Sequence, residues 1–214
     1  MTRVANYRLT DAHIAKALKA AADLDERVAT ALEVIGLPAA RKRTHGFESL
    51  AKIVVGQQVS TRAAEAITLR LVESLNGQLE PENLLSRDDE TLRAAGLSRQ
   101  KVSYLRSLAT AVVEGELPLE EMPKMSDEEV LQRITAIRGF GTWSAQMYLM
   151  FSLGRTDVWP SGDLAVRVGF GRLLGLTERP TPKQTDQLAS PFTPYRSALA
   201  LLCWHYYSSV PHEQ

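Results

Sequence analysis

One cysteine, Cys203, occurs in the 214 residues. An intramolecular disulfide is therefore excluded, as are an iron–sulfur cluster and a zinc site built from four thiolates. The four histidines, His13, His45, His205 and His212, show no metal-ligand spacing and read as structural or exposed. Long hydrophobic runs are missing as well: the apolar stretch 198–203 falls far short of the ~20 residues a bilayer-spanning helix requires. Arg3 and Arg8 interrupt the N-terminus, which has no apolar signal-peptide core. These absences predict a soluble intracellular protein with no membrane partner. No run alternates polar and apolar residues in the way of a half-buried strand. Net charge is also lacking, at zero, so no overall electrostatic bias toward nucleic acid exists.

Apolar material is plentiful, at 44% of the chain, enough for one domain or two closely packed lobes. Helical periodicity predicts an all-α fold, with helices over 11–22, 24–35, 47–57, 60–75, 89–95, 99–114, 127–137, 142–152, 163–174, 182–189 and 194–208. Gly36-Leu37-Pro38, Asn76-Gly77, Gly96, Gly115 and Gly175 supply the stops. Charge is unevenly placed. Residues 114–129 hold Glu114, Glu116, Glu120, Glu121, Asp127, Glu128 and Glu129 against Lys124 alone, whereas residues 133–172 hold Arg133, Arg138, Arg155, Arg167 and Arg172 against Asp157 and Asp163. The second stretch is locally basic, although at least half of such arginines should belong to a solvated helix surface. The acidic segment Glu114 to Lys124, with Pro118 and Pro123, is the candidate boundary, which predicts N-terminal helices over 1–45, a first lobe over 46–115 and a second over 116–214.

Ser126, followed by Asp127, Glu128 and Glu129, is a strong helix start, and Val130, Leu131, Ile134 and Ile137 continue at helical spacing. Gly139 and Gly141 then allow a tight turn before a second apolar helix begins at Thr142, giving a helix-hairpin-helix. Main-chain amides over Gly139, Phe140, Gly141 and Thr142, with the partial positive charge of the second helix's N-terminus, suit a phosphate. The alternative is an ordinary glycine-rich turn. Ala95-Gly96-Leu97 before Arg99 and Lys101 has the look of a second, weaker hairpin or a plain helix connection. Downstream, Asp163 follows Pro160-Ser161-Gly162 and precedes an apolar helix, so it serves as an N-cap, as a catalytic carboxylate, or as both.

Four separated segments carry a family resemblance: Gly56-Gln57-Gln58-Val59-Ser60, the hairpin through Ala145, Pro160-Ser161-Gly162-Asp163 with its following helix, and Pro194-Tyr195-Arg196-Ser197-Ala198. Over about residues 46–207 the chain resembles the helix-hairpin-helix DNA glycosylases, and among them the alkylpurine (3-methyladenine type II) branch. The resemblance implies two helical lobes around a cleft, the terminal helices packing with one lobe and the hairpin belonging to the other. It also implies a compact form without the β-rich N-terminal subdomain of larger members, no cluster of the endonuclease III type, a monomer, and double-stranded DNA with alkylated bases as partner. The compact form suits a bacterial cytoplasm, or a nucleus in a eukaryote.

The same resemblance assigns roles. Asp163 occupies the position of the glycosylase aspartate. An ionised carboxylate at ~4 Å from a developing oxocarbenium charge, at an effective dielectric of ~20, contributes roughly 4 kcal/mol, about a thousandfold in rate. Trp143 stands where bifunctional relatives carry the lysine that attacks the sugar, so water is left as nucleophile and the strand stays intact. Its ring also suits a cationic N-alkylated purine, with core packing as the alternative. The resemblance places Tyr195 on the wall of the base pocket, with Tyr148 and Trp159 as further candidates that equally fit core positions. Met147 sits where some members have tyrosine. Gln58, beside Gln57, aligns with the side chain inserted when a base is flipped; both glutamines also fit a polar helix end ahead of a capping Ser60. Hairpin carbonyls of Thr135, Ile137 and Phe140 correspond to those that hold sodium or potassium in the family. A non-catalytic lesion-binding protein and a helical interaction protein without a DNA role are the competing readings. Which base is preferred, among 3-methyladenine, 7-methylguanine, 1-methyladenine, ethenoadenine and hypoxanthine, depends on pocket shape.

Overall fold

The structure is a computed structural model that describes residues 7–209, with no strand among them. Twelve α-helices are present among the described residues: α1 (Asp11–Leu24), α2 (Glu26–Ile35), α3 (Phe47–Gly56), α4 (Thr61–Ser74), α5 (Pro81–Leu85), α6 (Asp89–Ala94), α7 (Arg99–Val113), α8 (Asp127–Ala136), α9 (Thr142–Phe151), α10 (Leu164–Leu173), α11 (Pro182–Ala189) and α12 (Arg196–Ser209). Short 3₁₀ turns occupy Met122–Lys124 and Ser190–Phe192. Most starts are set by side-chain caps. Thr10, Asp25, Ser60, Asp88, Ser98 and Asp163 each accept a main-chain N–H of the first turn, and Ser126 with Glu129 and Thr181 with Gln184 form reciprocal capping boxes.

The chain forms two compact units. The first is Arg43–Tyr148, which contains α3 to α8 and the start of α9. Here α3 packs on α4 and α7, and α5 and α6 pack on α7. Leu50, Val54, Leu71, Leu75, Leu84, Leu92, Leu105 and Leu108 are fully buried, each contributing about 1.5–3 kcal/mol of transfer free energy. The second unit joins two distant segments, 7–42 and 149–209 among the described residues. In it α12 packs on α10, α1 and α2. Seven successive residues of α12, Ser197 to Cys203, are buried, which explains why this helix is apolar all round. Gly169 of α10 makes the close approach possible: a Cβ there would lie 2.1 Å from the Cys203 carbonyl oxygen.

This division departs from the boundary that composition suggests, while it keeps the terminal helices and the hairpin in different units. The acidic segment 114–124 is no boundary: Leu117 and Met122 are buried within the first unit, and Arg133 donates to the Glu116 carbonyl at 3.2 Å. The hairpin therefore belongs with the 46–115 segment, and the second unit begins after Tyr148 and takes in the N-terminal helices. No helix among the described residues is long and apolar enough to cross a membrane.

Candidate nucleic-acid interface and active-site carboxylate

In the first unit, α8 ends at Ala136 with Ile137 as its C-cap. The Phe140 N–H donates to the Ile137 carbonyl at 3.1 Å, closing the turn. Gly139 has φ 92° and lies flat against Tyr104, whose ring atoms would sit 2.2–2.5 Å from any added Cβ. Only glycine fits. Gly141 is under no such constraint: its φ is ordinary, and a Cβ there would meet nothing within 4 Å. Gly141 and Thr142 are exposed at the start of α9, whereas the Phe140 side chain is buried as an anchor, leaving its main chain as the part able to meet an anion. Among the arginines of the basic stretch, Arg138 in the turn is exposed. Arg133 and Arg167 donate to the carbonyls of Glu116 and Pro180, and Arg172 lies over the Tyr207 ring.

The Gly56-to-Ser60 segment links α3 to α4 in the same unit. Its two glutamines part company. Gln58 is exposed with φ 55°, a left-handed conformation that costs a residue with a side chain roughly 1–2 kcal/mol. Gln57 is half-buried, and its Nε2 donates to the Gly139 carbonyl at 3.0 Å. Of the two glutamines expected at the inserted element, Gln58 is exposed, whereas the Gln57 side chain is engaged within the unit.

Candidate pocket residues also divide. Trp143 is 41% exposed, on the first turn of α9. Met147 and Tyr148 are buried in the first unit. The Tyr148 hydroxyl bonds His45 Nδ1 at 2.8 Å and accepts the Gly46 N–H at the start of α3, so it fills the core and closes a helix end. Trp159, in the second unit, is 5% exposed and packs edge-on against Phe170. Tyr195, also in the second unit, is half-buried just ahead of α12, where Thr193–Pro194 is a cis peptide.

The second unit holds Asp163 at the N-terminus of α10. Its role as an N-cap is observed directly. Oδ1 accepts the Val166 N–H at 2.9 Å, an N-cap bond, and also the Trp204 indole N–H at 3.1 Å, while the carboxylate is half-exposed. Two donors from different helices fix its orientation. The preceding loop is clamped by the Pro194–Ala198 segment. Arg196 grips Asp157 through two 2.8 Å bonds, which raises the affinity of the guanidinium for its proton. The Ser197 hydroxyl accepts the Val158 N–H at 2.9 Å, and the Ser197 N–H donates to the Thr156 carbonyl. Trp204 is itself packed on Phe151 and under the Arg41 guanidinium. Sequence reasoning missed Trp204, and no local pattern marks it.

Among the described residues no group of His, Cys, Asp and Glu could hold a metal ion. Thr135 lies in the last turn of α8 and Ile137 caps it, so main-chain oxygens there stand at the negative end of the helix dipole, which favours a cation.

Similarity to known proteins identifies the family. The family of HhH-GPD superfamily base excision DNA repair proteins matches residues 51–194. DNA-3-methyladenine glycosylase 1 of Schizosaccharomyces pombe is 38% identical over 161 residues, covering 74% of this chain and 71% of that protein. The structure of the 3-methyladenine DNA glycosylase Mag1 of the same yeast in complex with abasic DNA superposes with a TM-score of 0.81 at 35% identity, over 88% of this chain and 95% of that one. The DNA-3-methyladenine glycosidase of Bacillus halodurans gives 0.79 at 33% identity, over 90% and 89%. The matched segment encloses the Gln57-Gln58 loop, the hairpin and Asp163, and the chain belongs to the HhH-GPD superfamily of base excision DNA repair proteins.

Proposed function

We propose that this protein is a monofunctional DNA glycosylase of base excision repair, which hydrolyses the N-glycosidic bond of alkylated purines of the 3-methyladenine and 7-methylguanine type. The observation that carries the reading is Asp163, oriented at a helix N-terminus by Val166 and Trp204. Relatives named as 3-methyladenine glycosylases supply the substrate class. Double-stranded DNA is gripped through a phosphate at the exposed amides of Gly141 and Thr142. A base inside a duplex is out of reach, so it is extruded and Gln58 fills the gap. The exposed face of Trp143 attracts a purine made cationic by alkylation. As the glycosidic bond breaks, its electron pair leaves with the base, and Asp163 stabilises the positive sugar. Water then forms the new bond to the sugar carbon and gives up a proton, leaving an abasic site in an intact strand. Trp143 has no amine for a Schiff base, so no lyase step follows. A sodium or potassium ion held by the carbonyls of Thr135, Ile137 and Phe140 would add positive charge facing the phosphate.

The test is release of methylated bases from alkylated duplex DNA, followed by chromatography, with mild alkali to reveal abasic sites. Asp163→Asn should fold normally and lose a hundredfold or more of the release rate, on the order of 3 kcal/mol. Wild-type release from the Asn variant, or strand breaks before alkali, would contradict the mechanism. A purely lesion-binding protein would liberate no base.

A further inference from the structure

We propose that Gln57 is a positioning residue that couples the phosphate grip of the hairpin to the inserted side chain of Gln58. The inference rests on the glycosylase reading above. Gln57 Nε2 donates to the carbonyl of Gly139, the residue at the apex of the hairpin turn. That turn cannot shift independently, because Gly139 lies against the Tyr104 ring of α7, and Tyr104 in turn bonds Gln100. The end of α3 is held to the same helix, since Lys101 Nζ donates to the Val55 carbonyl at 2.7 Å. The hairpin apex, the first half of α7 and the end of α3 therefore form one block within a single unit. Gln58 is the next residue, exposed and in a strained left-handed conformation. Its flanks are pinned on one side by the Gln57 bond and on the other by Ser60, which caps α4.

Seating a phosphate on the hairpin and presenting Gln58 are then one event. Removing the Gln57 amide leaves each part in place and separates them. The loop samples conformations other than the one that presents Gln58, and affinity falls by the fraction of time spent in them.

A double-mutant cycle tests this. Wild type, Gln57→Ala, Gln58→Ala and the double variant are compared in affinity for a duplex with a tetrahydrofuran abasic analogue, and in base release from methylated duplex and methylated single-stranded DNA. Gln57→Ala should lower duplex affinity and duplex release roughly fivefold to tenfold. The double variant should be no worse than Gln58→Ala alone, because both changes remove one effect. Single-stranded release and affinity for undamaged duplex should be unchanged. Gln57→Glu, of equal size but presenting an acceptor to the Gly139 carbonyl, should reproduce the loss. Additive losses, equal losses on single and double strands, or losses that track the melting temperature would overturn the coupling. Failure of wild type to release any base would overturn the glycosylase reading and leave the affinity cycle as the arbiter of the coupling.

Discussion

At the scale of single residues, the most informative contact is the indole bond to the carboxylate. Trp204→Phe keeps an aromatic ring beside Phe151 and Arg41 and removes the N–H that reaches Asp163 Oδ1, together with part of the indole's volume. Hydrogen bonds to charged groups contribute about 1.5–3 kcal/mol, so single-turnover base release should fall at least tenfold. Affinity for an abasic-analogue duplex should stay within about twofold of wild type; an equal fall in both would instead make Trp204 a DNA contact. Asp163 is legible in the sequence because Pro160-Ser161-Gly162 announces a turn and an apolar helix follows. Trp204 is not, since its partner is chosen by the packing of α10 on α12, and it lies beyond the matched segment 51–194. The same limit applies to Tyr148, Met147 and Trp159. Helical spacing marks Met147 and Tyr148 as inward-facing and Trp159 stands in the loop between α9 and α10; neither setting distinguishes a core from a pocket wall, and the structure buries all three.

At the scale of elements, the hairpin assigns different reasons to its two glycines. Gly139→Ala would push a methyl group into the Tyr104 ring from a positive φ, destabilising the fold by roughly 1–3 kcal/mol through overpacking alone. Gly141→Ala meets open space, so its melting temperature should match wild type while its affinity for duplex DNA falls, as measured by fluorescence anisotropy. An unchanged affinity would remove Gly141 from the phosphate grip. Helix existence was well predicted here because the caps are written in the sequence: Ser126 with Glu129 gives the capping box seen at α8. Ends differ by a residue or two because periodicity does not separate residues such as Ser60 and Asp163 from the helices they cap. Helix α5 escaped notice because Pro81–Leu85 spans little more than one turn, too short to display a period.

At the scale of the whole molecule, stability should depend on pH through histidine. Burial pushes the His45 imidazole below its ordinary value, against a smaller opposing pull from the Leu119 carbonyl and the Glu120 charge. His13 is lowered likewise by burial and by the charges of Lys16 and Arg8. The unfolded chain takes up protons below about pH 6.5 while the folded imidazoles resist them. Their contribution is therefore complete above that value and is lost as the pH falls below it. Thermal melts should show a lower midpoint at pH 5.5 than at pH 7.5, by about 2–4 °C for each kcal/mol lost. His45→Gln should flatten that difference, and a slope unchanged by this substitution would exclude His45 as its source. The division into units was the least legible property, because an acidic, proline-containing stretch resembles a linker whether or not its apolar residues are buried. The second unit is discontinuous: α2 packs on α10 and α12, Arg27 donates to the Leu174 carbonyl at 3.1 Å, and His205 Nε2 meets the Ile35 carbonyl at 2.9 Å. During synthesis on the ribosome, α1 and α2 must wait for the last helix before their apolar faces are covered, while the first unit is already complete. A fragment trimmed to residues 51–194 would retain Asp163, its Val166 bond, the hairpin and both glutamines, and would lose α12 with the indole that holds the carboxylate from the other side.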